Sequence, residues 1–365
     1  MSVYAIILAA GEGTRMQSSR PKPLHLLCGQ EMVIHVITAL KDLEVDKTAV
    51  VVGHGAKQVT SVVAKKAPKW ANVSFVEQKV QRGTGDATIV GLSAIDLQVG
   101  ASSEISDTST VIVMPGDTPL LKASTISTLV NEHQNSNNAA TLLTAYLEMP
   151  TGYGRIVRAK DDRILKVVEE REATPEIKTI SEVNTSIYAF RRDLLGPALR
   201  RISNKNSQAE FYLTDVVEVL AGMGHRVGSH TAVASEVSGV NDRWQLAMAE
   251  RELRSRTNNS WLMSGVTMFD PQQTFIDVTV KIGKDVTLLP GTILQGNTVI
   301  GDNCEIGPNS RLVDTQVGQN SRVDNSIARD STIGKNATVG PFANLAPGAT
   351  VADEAITGSF YDGSQ

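Results

Sequence analysis

Two hydrophobic periods run along this chain, and they divide it. In the first two-thirds, short apolar runs alternate with stripes of helical spacing. Residues 4–8 form an uninterrupted apolar run, as expected of a strand buried on both faces of a sheet. Met32, Val33, Val36, Ile37 and Leu40 then recur at helical spacing, and 48–52 is again β-branched and apolar. The alternation continues through Val59, Val62 and Val63, then 73–76, 87–95 and 111–114. Strand and helix in turn predict a Rossmann-like, doubly wound α/β sheet with right-handed crossovers. From residue 139 onward, longer strands at 139–146 and 164–168 predict that the sheet becomes mixed, with a further strand at 187–190 and Leu213, Val216, Val217 and Leu220 as a helical core stripe.

After residue 280 the period is six. Aliphatic residues stand at Ile282, Leu288, Leu294, Ile300, Ile306 and Leu312, slip to Val317 and Val323, and resume at Ile333, Val339, Leu345 and Val351. A small residue often precedes the next aliphatic by two places, as at Thr298 and Ser310. Such hexads predict a parallel β-helix in which three of them complete one triangular coil and each aliphatic residue points into a narrow interior. Between the two regions, 241–264 carries Leu246, Ala249 and Leu253 among charged positions, the pattern of an amphipathic linking helix. The expected organisation is a globular domain over 1–240, the helix over 241–264 and the β-helix over 265–365.

The narrow coil accounts for a skewed composition, with 29 glycines and only 4% aromatic residues. A formal charge of −4 gives no reason to expect nucleic-acid binding and leaves room for a local basic pocket. Cys28 and Cys304 are far apart and fit neither a disulfide framework nor a zinc spacing, so a reduced, cytoplasmic setting is expected. No basic residue precedes the first apolar run, and Glu12 and Arg15 interrupt it long before a bilayer is spanned. Neither a signal peptide nor a membrane helix is expected. The six histidines read as core or surface residues.

The candidate chemistry lies in loops that directly follow predicted strands, where doubly wound sheets bind ligands. Leu8-Ala9-Ala10-Gly11-Glu12-Gly13-Thr14-Arg15 leads from a buried strand into a tight, small-residue turn, and Lys22 follows. Main-chain N–H groups and two cations on such a loop suit phosphate binding, against the plainer reading of an ordinary βα turn. Gln78 to Thr84, with Gly83, is a second glycine-bearing loop before a helix, suited to a base or a phosphate. Asp117, after Gly116, stands where either a magnesium ligand or a helix cap is expected. Glu169 and Glu170 follow one strand, and residues 183–186 precede another; these polar groups suit a hydroxyl-rich ligand, although a charge run such as 169–172 is more often simply solvated.

Taken in order, these motifs resemble the bacterial bifunctional N-acetylglucosamine-1-phosphate uridyltransferase/glucosamine-1-phosphate acetyltransferase family. The resemblance spans nearly the whole chain and rests on the loop 8–16 with Pro21-Lys22, Gln78 with Gly83-Thr84, Gly116-Asp117-Thr118-Pro119-Leu120, Gly152-Tyr153-Gly154-Arg155-Ile156, Glu182-Val183-Asn184-Thr185, Gly239-Val240-Asn241 and the hexads. Several of these motifs are shared by many sugar-nucleotide synthases; their order together with the hexads is more specific. Pro115 departs from the residue relatives often carry before Gly-Asp. The resemblance implies a left-handed β-helix, and a Mg²⁺-dependent enzyme that joins UTP to N-acetylglucosamine 1-phosphate, giving UDP-N-acetylglucosamine and pyrophosphate for cell-wall precursor synthesis. It implies that Arg15 and Lys22 act on the triphosphate, that Leu8, Ala9, Ala10, Gly11 and Gly116 line the nucleotide, and that Asp117 and Asn241 hold Mg²⁺. Gln78, Gly83 and Thr84 would read uracil, and Gly154, Glu169 and Asn184 would orient the sugar.

For the family's second activity the expectation is negative. No histidine follows His230, Ala346 stands where the resemblance calls for a substrate-binding arginine, and 358–365 loses the repeat, so acetyl transfer is expected to be absent. A homotrimer through the β-helix is implied. The rival expectations are a nucleotidyltransferase for a different sugar 1-phosphate, or a non-catalytic assembly or regulatory chain.

Overall fold

The computed structural model of the chain describes residues 2–99 and 108–363. The chain folds into two compact units, one of Met1–His25 with Glu31–Leu246 and one of Leu26–Gln30 with Ala247–Gln365, where the sequence pattern alone suggests divisions after 240 and 264.

The first unit is built on nine strands. These are β1 (Val3–Ala9), β2 (Val45–Val52), β3 (Val73–Glu77), β4 (Thr110–Pro115), β5 (Ala140–Tyr146), β6 (Gly154–Arg158), β7 (Ile164–Val168), β8 (Glu182–Arg191) and β9 (Val227–Thr231). Their order across the sheet is β9-β5-β8-β4-β1-β2-β3, with β6 joined to β8 and β7 joined to β6. β1 lies parallel to both β2 and β4, and the connections leaving the adjacent strands β1 and β4 run to opposite sides, to β2 and to β5. The sheet turns mixed at β8, which runs antiparallel to β4 and β5. Residues 4–7 of β1 are almost wholly buried because helices cover both faces, which explains the continuous apolar run. The helices of seven or more residues are α1 (Met32–Thr38), α2 (Ala56–Lys66), α3 (Thr84–Val99), α4 (Ala123–Asn135), α5 (Arg192–Leu199) and α6 (Asp215–Gly222).

One expectation is corrected here. Residues 183–186 do not precede a strand but belong to β8, which starts at Glu182. The pairing with β5 shifts register between Asn184 and Tyr188, and Ser186 has φ 62°. An irregularity of this kind re-aims side chains beside it, and it leaves Asn184 and Thr185 at the edge of the cleft described below.

Helix α7 (Arg243–Met263) carries the chain on to three parallel five-stranded sheets. In one of them Leu288, Ile306, Val323 and Val339 stack along the interior, each fully buried. The break in the six-residue step has a simple cause. Leu312 pairs with Ala328, whose small side chain fills the interior place that a large aliphatic residue holds elsewhere. The turns beside it are one residue shorter and place Asp314, Asn325 and Asp330 at φ 50°, 43° and 42°, values that Asn and Asp tolerate best after glycine. The buried Thr and Ser of the hexads bond backbone carbonyls, as in Thr298 Oγ1 to Gln295 O at 2.7 Å and Ser321 Oγ to Gly334 O at 2.7 Å. At the last described coil Phe360 stacks on Phe342 with ring centroids 5.6 Å apart; Ser364 and Gln365 lie outside the described residues.

Candidate active site

The carboxyl ends of β1, β3 and β4 open onto a cleft of about 660 Å³ within the first unit. This is the switch point of the sheet, where the connections leaving the neighbouring strands β1 and β4 run to opposite sides and open a crevice between them. Leu8, Ala10, Gly11, Gln78, Gly83, Thr84, Asp117, Gly154, Glu169, Asn184 and Asn241 all line it. Ala9 and Gly116 are buried behind that lining, with the Gly116 N–H donating to Leu8 O at 2.8 Å; a Cβ on Gly116 would stand 3.1 Å from that oxygen. They shape the floor of the cleft.

The cationic loop behaves less uniformly than the sequence suggests. Lys22, at the start of the 3-10 turn Lys22–Leu24, is largely enclosed and donates from Nζ to Asp117 Oδ2 and, at 2.9 Å, to Asn241 Oδ1. Arg15, on the turn Thr14–Met16, is exposed, and neither cation is among the residues that line the cleft, Lys22 reaching it through its bonds to the lining Asp117 and Asn241. Gly13 adopts φ 65°, and a Cβ there would stand 2.6 Å from the Lys22 Cβ, so glycine lets the loop fold back over the lysine.

Asp117 and Asn241 come from segments far apart in sequence, joined by a Val240 N–H bond to Asp117 O at 2.8 Å. A Cβ on Gly239 would lie 3.8 Å from Asn241 Nδ2 and 3.9 Å from Asp117 Oδ1, so the missing side chain keeps space open beside both groups. One carboxylate and one amide oxygen converging on a single point, now bridged by an ammonium, form a hard-oxygen donor pair that fits Mg²⁺. Among the described residues no group of three His, Cys, Asp or Glu forms a closed metal cage, and Mg²⁺ in nucleotide sites normally completes its shell with phosphate and water.

Across the cleft, Asn184 Nδ2 donates to the buried Tyr188 hydroxyl at 2.7 Å, while Asn184 Oδ1 is buried without a hydrogen-bond partner. Burial raises the Glu169 carboxyl above its ordinary range; the Thr214 hydroxyl, donating at 3.0 Å, opposes this. Burial, helped by Glu218 and Glu172, raises Asp215 to about 6. The neighbouring Arg155 is fully buried and paired with Glu170 at 2.8 Å, so Glu170 belongs to the scaffold. In the second loop the Gln78 amide nitrogen is engaged by Asp86 Oδ2 at 2.8 Å and Gly83 O at 3.3 Å, which holds the turn closed.

Gln81, Tyr153 and Gly239 line the cleft from within motifs the sequence singles out without giving these residues a role, whereas Glu210, Tyr212, Leu213 and Thr214 escape the sequence pattern. Gln81 Nε2 donates to Ala10 O at 2.7 Å and ties the second loop to the first. The signal for 210–214 is weak because that segment reads as the lead-in to a core helix. It approaches the cleft because the Phe211 N–H bonds Arg82 O at 2.8 Å and the Gly85 N–H bonds Phe211 O at 2.8 Å.

The sheet is doubly wound and carries a glycine-bearing loop and an oxygen pair at its switch point, and residues 5–209 match the family model of the MobA-like NTP transferase domain; the chain belongs to that family. Residues 279–313 match the bacterial transferase hexapeptide (six repeats). Among curated proteins, the chain is 44% identical to the bifunctional protein GlmU of Thermobifida fusca (strain YX), over 80% of this chain and 59% of that one. Identity to the same-named protein of Clostridium beijerinckii is 43%, over 80% and 61%, and to that of Shouchella clausii 41%, over 81% and 62%. The matched part of this chain corresponds to about three-fifths of the length of these relatives.

Proposed function

We propose that this chain transfers a uridylyl group from UTP to N-acetylglucosamine 1-phosphate, forming UDP-N-acetylglucosamine and releasing pyrophosphate. The observation that carries the reading is the convergence of Lys22, Asp117 and Asn241 at the switch point. A phosphate oxygen of the sugar 1-phosphate attacks the α-phosphorus as the bond to the pyrophosphate oxygen breaks. That nucleophile already carries charge, so no general base is required and catalysis rests on alignment and charge neutralisation.

Each residue then has a role. Backbone groups of Leu8, Ala9, Ala10, Gly11 and Gly116 cradle the nucleotide, and Lys22 and Arg15 meet the triphosphate, with the exposed Arg15 swinging in when it is bound. Gln78, Gly83 and Thr84 read the uracil edge. Gly154, Glu169 and Asn184 orient the sugar. Asp117 and Asn241 would hold Mg²⁺, which when bound supplies positive charge to the triphosphate.

Pyrophosphate release, measured with UTP and N-acetylglucosamine 1-phosphate with and without Mg²⁺, tests the reading. A preference for another sugar phosphate or nucleotide would replace the substrate assignment, and no turnover with any pair would favour an assembly or regulatory role. Acetyl transfer is not part of the proposal: Ala346 is exposed and has no charge with which to hold a phosphorylated acceptor. Free CoA formed from acetyl-CoA and glucosamine 1-phosphate would overturn that exclusion. We also propose a homotrimer through the β-helix, supported by its exposed Ile327, Phe342, Ile356 and Phe360; a monomer mass by light scattering would count against it.

A further inference from the structure

Glu236 is a carboxylate with no place in the reaction as proposed, yet it is 3% exposed. It ends the short turn Ala234–Glu236 and accepts from Thr125 Oγ1 at 2.6 Å and from Lys122 Nζ at 2.7 Å. Both donors stand at the start of α4, on the segment that follows Asp117. Glu236 itself lies five residues before Asn241. The two segments that supply the cation-binding oxygens are therefore tied at two points, by the Val240 to Asp117 backbone bond and by Glu236. Leu121 and Val237 share one buried core cluster, and Leu120 and Val240, close by in sequence, are buried as well.

We propose that Glu236 is a positioning residue that sets the separation of Asp117 and Asn241, and so the affinity of the site for a divalent cation bound with the nucleotide. The inference rests on the functional reading above. The backbone bond fixes Val240 against Asp117 at one end of the 236–241 segment, and the charge-assisted bonds at Glu236 hold its other end. Lys122 is half exposed, so water takes over its charge when the carboxylate is neutralised. Glu236→Gln retains an acceptor for Thr125 and loses the ion pair, and its effect falls on the geometry of the site more than on the fold.

The test is Mn²⁺ binding to the full chain, followed by electron paramagnetic resonance with UTP present and no sugar phosphate, alongside thermal melts. Glu236→Gln is expected to weaken Mn²⁺ about tenfold, the scale typical of residues that orient metal ligands. Lys122→Arg, which keeps the charge, should bind within about twofold of wild type, and Thr125→Val should fall between the two. In turnover, Glu236→Gln should raise the Mg²⁺ concentration for half-activation while kcat at saturating Mg²⁺ is preserved. Wild-type Mn²⁺ affinity in folded Glu236→Gln would overturn the positioning role; if that variant does not fold, wild-type affinity in Thr125→Val would do so. Failure of the wild type itself to bind Mn²⁺ with UTP would overturn the functional reading, and the inference with it.

Discussion

The side-chain ammonium of Lys22 stands 2.9 Å from Asn241 Oδ1, across 219 residues of sequence, and bonds Asp117 Oδ2 at the same time. A lysine thus bridges the two oxygens proposed to hold a divalent cation. Lys22→Met should lower turnover by roughly 100-fold or more, through lost charge stabilisation. It should also strengthen Mn²⁺ binding to the nucleotide-free protein, because the two oxygens lose their resident cation. Unchanged Mn²⁺ affinity, read by paramagnetic resonance, would mean that Lys22 and the metal do not compete.

The two cleft glycines should respond oppositely to the same change. A Cβ on Gly11 meets nothing within 4 Å, so Gly11→Ala should leave stability within about 0.5 kcal/mol while raising KM for UTP by intruding on the nucleotide. Gly83 has φ 106°, and its Cβ would stand 2.6 Å from Phe211 O, a backbone atom that cannot step aside. Gly83→Ala should cost roughly 1–3 kcal/mol in chemical denaturation. Equal melting points for the two variants would contradict this account.

Asn184 is oriented by the Tyr188 hydroxyl at 2.7 Å. Removing that hydroxyl in Tyr188→Phe should raise KM for the sugar phosphate about fivefold, the worth of one buried hydrogen bond, with a smaller effect on KM for UTP. A larger effect on UTP would move Asn184 to the nucleotide side of the cleft.

His133 should make the protein acid-sensitive. Burial first, and Arg191 second, lower it to about 4 from its ordinary 6.5, and the ring is 2% exposed with only Nδ1 hydrogen-bonded, to Thr141. The folded state therefore holds the neutral ring. Above pH 6.5 this group adds no pH dependence; as the pH falls from 6.5 to 4 the unfolded chain takes up the proton first, and stability drops by roughly 3 kcal/mol. Urea denaturation across that window should show the slope in wild type and a shallower one in His133→Leu.

Elements with a strict period were legible in the sequence. The run at 4–8 is continuous because β1 is covered on both faces, and the hexads keep register because only one aliphatic residue per hexad fits inside the coil. Loops directly after strands were also legible: the direction of a parallel strand commits Gly11, Gly83 and Asp117 to one rim. The slip after Leu312 was visible, but its remedy was not, since an alanine carries too little hydrophobic signal to mark Ala328 as an interior residue.

Tertiary structure alone decided what meets across distance. The sequence offered Arg15 and Lys22 as equivalent cations. The fold enclosed Lys22 between Asp117 and Asn241 and left Arg15 exposed, because Gly13 turns the loop back over one and not the other. Local pattern carried no sign that 210–214 would reach the cleft, or that Glu236 would be buried against Thr125 and Lys122. Periodicity records which face of an element is buried, so the sequence by itself determined the two architectures and the rim on which the cleft opens. Which side chains pair, and at what distance, depends on how segments more than a hundred residues apart close on one another, and that is written only in the packed fold.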